Sequence, residues 1–449
     1  MCKMRIPRLL RTISLLLCLA SVTGLSACST SIEKSTIEDY SKTETTAVQN
    51  TVTEPLSLSD NISYPASTLP IENARSASAE EFRAIWLSFY EISKIFDNIS
   101  SPDAFYAKAD EVFAHIAARG FNNIFVHIRP FADSIYPSNF FPWSKYISGQ
   151  QGKALNFDPL YLMLEAAHAH GLLFHAWINP YRILLSDDFS QLCEGHPALL
   201  WHREGSQDER LIVCKEGIFF NPASQEALTL ILNGVREIAE NYPVDGIHID
   251  DYFYPTTSKD IDDDFYRAYI SHGGQMSLAE WRRANINAMV SSMYSASKAK
   301  NPSILFSISP SGNIDYNLNS MYADIYLWMA QSGYCDLIIP QIYFGFENPK
   351  QPFVPCLNSW LSIPRCDSVS LAVGLALYKS GKKDIASTTN PLAETEWIDK
   401  SDIIARQILT IRSSELLCGF ALFSYDSFFG GNLSAQAIYE VNAIITLLQ

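Results

Sequence analysis

The sequence predicts a single (β/α)8 barrel over residues 80–449, and three observations carry that expectation. Strand-like and helix-like segments alternate, eight units in order, from Phe82 to the end of the chain. No glycine-rich phosphate-binding turn follows the first strand, as the competing open, doubly wound sheet would want. Finally, Val244-Asp245-Gly246-Ile247-His248-Ile249-Asp250-Asp251-Tyr252-Phe253-Tyr254-Pro255 alternates Ile247 and Ile249 against His248 and Asp250. That period of two gives one apolar face and one carrying an imidazole and a carboxylate. A strand buried on both sides is ordinarily apolar on both faces. Polar groups gathered toward its C-terminal end mark the inner, active-site face of a barrel strand.

Taken in order, strands are expected near Phe82–Tyr90, Asn122–Pro130, Leu172–Pro180, Gly246–Tyr252, Ile304–Ser309, Asp336–Tyr343, Ser370–Tyr378 and Cys418–Tyr425. Amphipathic helices are expected between them, among them Pro102–Arg119, Asp158–His170, Ser224–Asn241, Ser277–Lys298, Ser401–Ser413 and Ala435–Leu448. Gly120, Gly171 and Gly246 fall at or just after helix ends, where left-handed caps are expected. The segment exceeds the roughly 250 residues of a bare barrel. The surplus sits at Phe131–Phe157 and Arg182–Pro222, after the second and third strands, on the face where barrels keep their chemistry.

Two segments precede the barrel. Residues 1–27 read as a signal: Lys3, Arg5, Arg8 and Arg11 form a basic region, and Ile13 to Ala20 a short apolar core. That core is too short for a stable spanning helix. Leu25-Ser26-Ala27-Cys28 resembles a bacterial lipobox, which implies cleavage before Cys28 and lipidation of its sulfur. Acyl chains at roughly 0.8 kcal/mol per buried methylene would hold the mature chain on a membrane surface, outside the cytoplasm. Residues 28–79, rich in Ser, Thr and Glu without apolar periodicity, read as a flexible tether.

The net charge of −15 and the lack of a basic stripe argue against nucleic acid as a partner. With aromatic residues at 12%, the chain suits a polysaccharide, whose pyranose faces stack on aromatic rings. Beyond the signal and Cys28, the cysteines are Cys193, Cys214, Cys335, Cys356, Cys366 and Cys418. Cys193/Cys214 and Cys356/Cys366 are the local pairs that an oxidising compartment would permit to bridge. No CxxC occurs, so no zinc or redox motif is read, and no cofactor is called for.

Alternation also sorts the candidate site. His127 and Arg129 share one face of the second strand, and His175, Trp177 and Asn179 one face of the third. Gln341 and Tyr343 share a face on the sixth. If these faces point inward, the mouth gathers Arg129, Asn179, Asp250, Gln341 and Tyr343 to bind hydroxyl and acetamido groups. His175, His248 and Tyr252 stand beside them, and Trp86, Trp143 and Trp177 are candidate stacking surfaces. Asp250 is the leading catalytic candidate, with Asp251 following as strand gives way to loop. Glycoside hydrolysis needs two carboxyl groups, one to protonate the leaving oxygen and one to attack or to activate water. Glu347 is the first candidate for a partner to Asp250, with Asp315, Glu396 and Asp426 behind it. Two rival readings are a glycan-binding protein without catalysis and a metal-dependent hydrolase using His127, His175 and His248. Against a metal, an arginine at the mouth would repel a divalent cation. Asp262-Asp263-Asp264 reads as a solvated acidic loop.

Several segments together resemble the glycosyl hydrolase-like 10 family. They are Arg83-Ala84-Ile85-Trp86-Leu87, Asp133-Ser134-Ile135-Tyr136-Pro137-Ser138, Phe141-Pro142-Trp143-Ser144, Phe157-Asp158-Pro159-Leu160, and Ala166, His168 and Gly171. The resemblance continues through His175-Ala176-Trp177-Ile178-Asn179-Pro180-Tyr181-Arg182, the Asp245–Pro255 stretch and Pro340-Gln341-Ile342-Tyr343. It implies a secreted (β/α)8 glycosidase related to the α-amylase and α-galactosidase barrels. For some members it implies cleavage of peptidoglycan strands that lack stem peptides. His127 stands where the family pattern has Gln. A chitinase-type barrel is also similar, but Tyr252 occupies the position of its catalytic Glu, so that mechanism does not transfer directly.

Overall fold

A computed structural model describes residues 80–99, 101–205, 209–385 and 390–449. The expected signal, Cys28 and tether lie outside the described residues. Eight parallel strands close a barrel: β1 (Phe82–Leu87), β2 (Asn123–Arg129), β3 (Leu173–Ile178), β7 (Gly246–Ile249), β8 (Leu305–Ile308), β9 (Leu337–Ile338), β10 (Ser370–Leu375) and β11 (Gly419–Leu422). β11 pairs back onto β1, through Phe82 opposite Gly419. Inside lie Ala84, Trp86, Phe125, Trp177, Leu337, Ile339, Ala372 and Ala421. Their neighbours Ile85, Leu87, Ile124 and Val126 pack outward against the helices. That in-out alternation is what the period of two demands.

The helices start where their caps dictate. Ser101 Oγ accepts from the Ala104 amide, Asp158 Oδ1 from Tyr161, and Ser224 Oγ from Ala227. Ser277 and Glu280 form a reciprocal capping box. Gly120 (φ +86°) and Gly171 (φ +70°) take the left-handed conformation expected of them. Gly246 does not. It opens β7 as a strand residue, and a side chain there would run into the His175 ring.

Other expectations are corrected by local chemistry. The sixth barrel strand is only Leu337–Ile338, because Pro340 offers no amide to the ladder and single bridges through Gln341 continue the edge. The long loop after β3 carries a second sheet, unanticipated from sequence: β4 (Arg182–Leu184), β5 (Leu211–Cys214) and β6 (Gly217–Phe220), in the order β4-β6-β5. All six described cysteines are free. Cys193 packs on Gly152, the Cys356 thiol donates to Gly312 O at 3.3 Å, and Cys366 pairs with the Ser368 hydroxyl at 3.0 Å. Asp262 is not solvated. It is buried against Arg282, whose guanidinium also donates to Ser258 O and lies over Tyr254 and Tyr322.

Candidate active site

β7 ends at Ile249, and Asp250 and Asp251 follow at the barrel mouth. Asp250 is 4% exposed and accepts from Asn179 Nδ2 at 3.1 Å. The Trp177 indole N–H and the Tyr252 amide also face it. Burial, then the neighbouring Asp251 charge, raises its carboxyl well above the ordinary carboxylate range. Asp251 is half-buried and is likewise raised by burial. It faces the Gln341 side-chain amide, which donates to Ser309 O at 2.9 Å.

Arg182 is the cation that acts on both. Its guanidinium lies 5.0 Å from the Phe131 ring centre and 4.2 Å from that of Tyr252, which is 39% exposed. Its amide donates to Asn179 Oδ1 at 3.2 Å, so the residue that holds Asp250 also anchors Arg182. Among the described residues Arg182 forms no direct ion pair with either carboxylate. The Tyr343 phenol is kept protonated by burial and by Tyr378, Asp251, Tyr252 and Asp250 around it. Tyr378 stands edge-on to both Tyr343 and Phe423, and Phe423 lies tilted against Tyr343, all at 5.9–6.1 Å. Phe89, Phe131 and Tyr146 form a further aromatic wall, with Phe89 and Tyr146 4.5 Å apart.

The structure therefore brings together Asp250, Asp251, Trp177, Asn179, Tyr252, Gln341 and Tyr343. It does not bring the other predicted residues to them. Trp86, 2% exposed, lies inside the barrel, stacked on Phe125 at 5.3 Å. Its indole donates to His248 Nε2 at 3.2 Å, and His248 Nδ1 meets Ser307 Oγ at 2.8 Å. His175 sits in the layer of Phe125 and bonds Asn123 Oδ1 at 2.8 Å. Arg129 points outward, because the β2–β3 register shifts between His127 and Arg129 and places Arg129 opposite Ile178. It is buried over the Phe141 ring at 4.5 Å, beside Tyr136 and Glu237. Trp143 is half-buried in the loop after β2, bridged through its backbone to Ser134.

The candidate partners for Asp250 are also elsewhere. Glu347 is exposed, and its amide donates to Glu396, which accepts from Phe346 as well. Asp426 pairs with Lys94 at 2.8 Å, and Asp315 is exposed on a short helix. The three imidazoles do not converge. His127 lies face to face on Trp177 at 3.6 Å, with both ring nitrogens unpartnered among the described residues, while His175 bonds through Nε2 alone and His248 through both nitrogens. No described group of three His, Cys, Asp or Glu has the arrangement to hold a metal ion.

Sequence reasoning missed Arg182, Phe131, Tyr146, Tyr378 and Phe423. The signal for Arg182 was its place three residues beyond Asn179, at the mouth end of β3. Asp133 was also unassigned. Burial lifts its carboxyl to about 6, and it accepts from Gln151 Nε2 at 3.1 Å. Gln151 in turn accepts the Cys193 amide at 3.0 Å, so Asp133 joins the two enlarged loops.

A closed eight-stranded parallel barrel with carboxyls and aromatics at its C-terminal mouth is a (β/α)8 barrel with acid–base groups where such barrels keep their active sites. The chain belongs to the glycosyl hydrolase-like 10 family, whose model matches residues 81–389, and it is a glycoside hydrolase on that ground. It is 31% identical over 373 residues to glycosyl hydrolase YngK of Bacillus subtilis, covering 78% of this chain and 69% of that protein. It is 28% identical over 361 residues to glycosyl hydrolase DigH of Escherichia coli, covering 72% of this chain and 78% of that one. Two solved structures share the fold, each at 11% identity and a TM-score of 0.51. The catalytic domain of beta-amylase from Paenibacillus polymyxa covers 83% of this chain and 100% of its own. The PgaB glycoside hydrolase domain from Bordetella bronchiseptica covers 81% and 99%.

Proposed function

We propose that the chain hydrolyses O-glycosidic bonds of an N-acetylated bacterial cell-wall glycan, peptide-free peptidoglycan strands in the first instance, using Asp250 and Asp251. The observation that carries this reading is the adjacent pair of raised carboxyls at the barrel mouth, Asp250 held by Asn179, with Trp177, Tyr252 and Tyr343 around them. A raised carboxyl holds its proton for the leaving oxygen near neutral pH, where an ordinary one has lost it. The aromatic walls offer faces to pyranose rings, and Asn179, Gln341 and Arg182 offer donors to hydroxyl and acetamido oxygens. Incubating the purified full chain with intact peptidoglycan, peptide-free strands and chitooligosaccharides tests it. New reducing ends, most from the peptide-free strands, are expected. Binding without cleavage on all three would leave a binding protein and sink the proposal.

The expected address is part of the same proposal: lipidation of Cys28 tethers the barrel outside the cytoplasmic membrane, at the glycan. Cys28→Ser should move the protein from the membrane to the soluble fraction. If the variant sediments with membranes as the parent does, the anchor is elsewhere.

A further inference from the structure

We propose that the nucleophile is the substrate's own 2-acetamido oxygen, with Asp250 holding the acetamido N–H and Asp251 donating and then recovering the proton. This rests on the reading of the mouth as a glycan hydrolase and names the sugar class that reading needs: a 2-acetamido-2-deoxyhexose at the cleaved bond.

Three observations lead there. The first concerns what faces the pair. Two enzyme carboxyls that attack and protonate one glycosidic bond stand on opposite sides of it. Asp250 and Asp251 instead rise from one edge of the mouth, at the end of one strand, and each is the other's neighbour in charge. The walls at the ends of β1, β2, β10 and β11 present Phe89, His127, Tyr378 and Phe423. Glu91, on the helix that follows β1, is consumed as a cap. It accepts from the Ser88 and Asp426 amides at 2.7 Å each and from Ser424 Oγ at 2.5 Å. Glu396 is consumed by the Phe346 and Glu347 amides. Asp426 pairs with Lys94 at 2.8 Å, and Asp133, on the loop after β2, accepts from Gln151 with one oxygen. With Glu91, Glu396 and Asp426 engaged in the fold, the attacking group is taken from the substrate.

The second observation is the unequal footing of the two aspartates. Asp250 is deep, is held by the Asn179 amide at 3.1 Å, and lies beside the Trp177 indole and the Tyr252 amide. It is fixed in place, which suits holding one N–H and suits poorly a group that must trade protons with solvent. Asp251 is half-buried and turned toward Gln341, so it meets water and a departing oxygen. The third is Tyr343, which lies against Tyr378 and Phe423 beside the pair and keeps its O–H as a hydrogen-bond donor that can orient the acetamido oxygen without giving up the proton.

The steps balance without a cofactor. The acetamido carbonyl oxygen attacks C1, the C1–O bond to the leaving chain breaks, and the proton of Asp251 passes to the leaving oxygen. Asp250 stabilises the N–H of the resulting oxazolinium ring. Water then attacks C1, the ring C1–O bond breaks to restore the acetamido group, and the water proton passes to Asp251. The outcome is hydrolysis with retained configuration.

The test uses the full chain and one batch of peptide-free strands, de-N-acetylated and then re-acylated with either acetyl or trifluoroacetyl groups. Fluorine drains electron density from the carbonyl oxygen and leaves the rest of the sugar in place. The trifluoroacetyl strands should be cut about 10²-fold more slowly or worse, the scale of a lost catalytic group. No glycosyl adduct should appear on the intact protein by mass spectrometry. Equal rates on the two preparations, or a covalent adduct, would overturn this inference and leave the hydrolase reading standing. No cleavage of the re-acetylated strands would remove both.

Discussion

The two ends of β7 carry aspartates that serve opposite purposes. At the foot, Asp245 Oδ2 accepts the Phe174 amide of β3 at 2.7 Å and meets His168 Nε2 at 2.8 Å. Asp336, just before β9, repeats the device: it accepts the Phe306 amide at 2.7 Å and pairs with Lys298 at 2.7 Å. Asn122 does the same for Arg83 with a neutral side chain. Each foot group completes a strand amide that would otherwise lack a partner. At the mouth, Asp250 is buried and Asp251 half-buried beside it, with Arg182 near but not bonded to them. The foot group contributes to stability because its lone pairs are spent on the fold. The mouth pair is held by fewer fixed partners, Asn179 on Asp250 among them, and its raised carboxyls retain protons for a ligand at a cost in stability. This is the division between stability and chemistry that barrels make between their two faces.

The largest effect that would sharpen this contrast is on turnover. Asp250→Asn and Asp251→Asn should each lower the rate of reducing-end release by about 10²–10⁴-fold, the range for general acid–base groups. If the pair acts as a unit, the double variant should lose little more than the worse single one. Independent, multiplying losses would separate the two residues.

A second effect belongs to packing outside the barrel. Gly234, in the helix Gln225–Asn241, lies where an added Cβ would run into Arg129 and Phe141. Gly234→Ala should therefore destabilise by about 1–3 kcal/mol, the cost of overpacking, in a chemical-denaturation series. The KM of the remaining folded enzyme should not change. A raised KM would return Arg129 to the substrate site.

The pH response follows from the direction of the mouth shifts. Raised folded carboxyls contribute stability that is full at low pH, below the ordinary range near about 4, and lost as pH rises through their folded values. The melting temperature of the parent should fall across that mildly acid to neutral window more than that of Asp250→Asn does. The acid limb of the rate profile should also stand above the ordinary carboxylate range. Parallel melting curves for the two proteins would mean that the fold does not strain these carboxyls.

The smallest effect expected is at Glu347. Glu347→Gln should leave the rate on strands within a factor of two or so, far below the 10²-fold scale of a lost acid. Sparing of an activated aryl glycoside together with loss on strands would instead restore it as the proton donor.

How much of this was legible follows from what a period of two can encode. It places side chains on a face, which is why the barrel strands and the Asp250 face were readable. It does not give depth: Trp86, His175 and His248 share the inner face with Asp250 and Trp177 but lie within the barrel, bonded to each other or to Ser307 and Asn123. Nor does it register a bulge. The shift after His127 turned Arg129 outward, and no residue type there announces it. Pro340 was visible, and its cost to the β9 ladder could have been counted. The β4-β6-β5 sheet was not read, because its short strands lie inside a long loop with no βα alternation around them to mark them. Arg182, the cation of the mouth, comes in on that sheet.

The most direct measurement sets the two ends of β7 against each other in one buffer. Reducing-end release from peptide-free strands and thermal melting are followed for the parent, Asp250→Asn and Asp245→Ala. The account predicts a crossing. Asp250→Asn keeps or raises its melting temperature and loses most of its rate. Asp245→Ala loses about 1–3 kcal/mol of stability, the penalty of a stranded buried amide, and keeps its rate per folded molecule. If Asp250→Asn releases reducing ends at near the parent rate while melting as a folded protein, the chemistry is not at the mouth of β7.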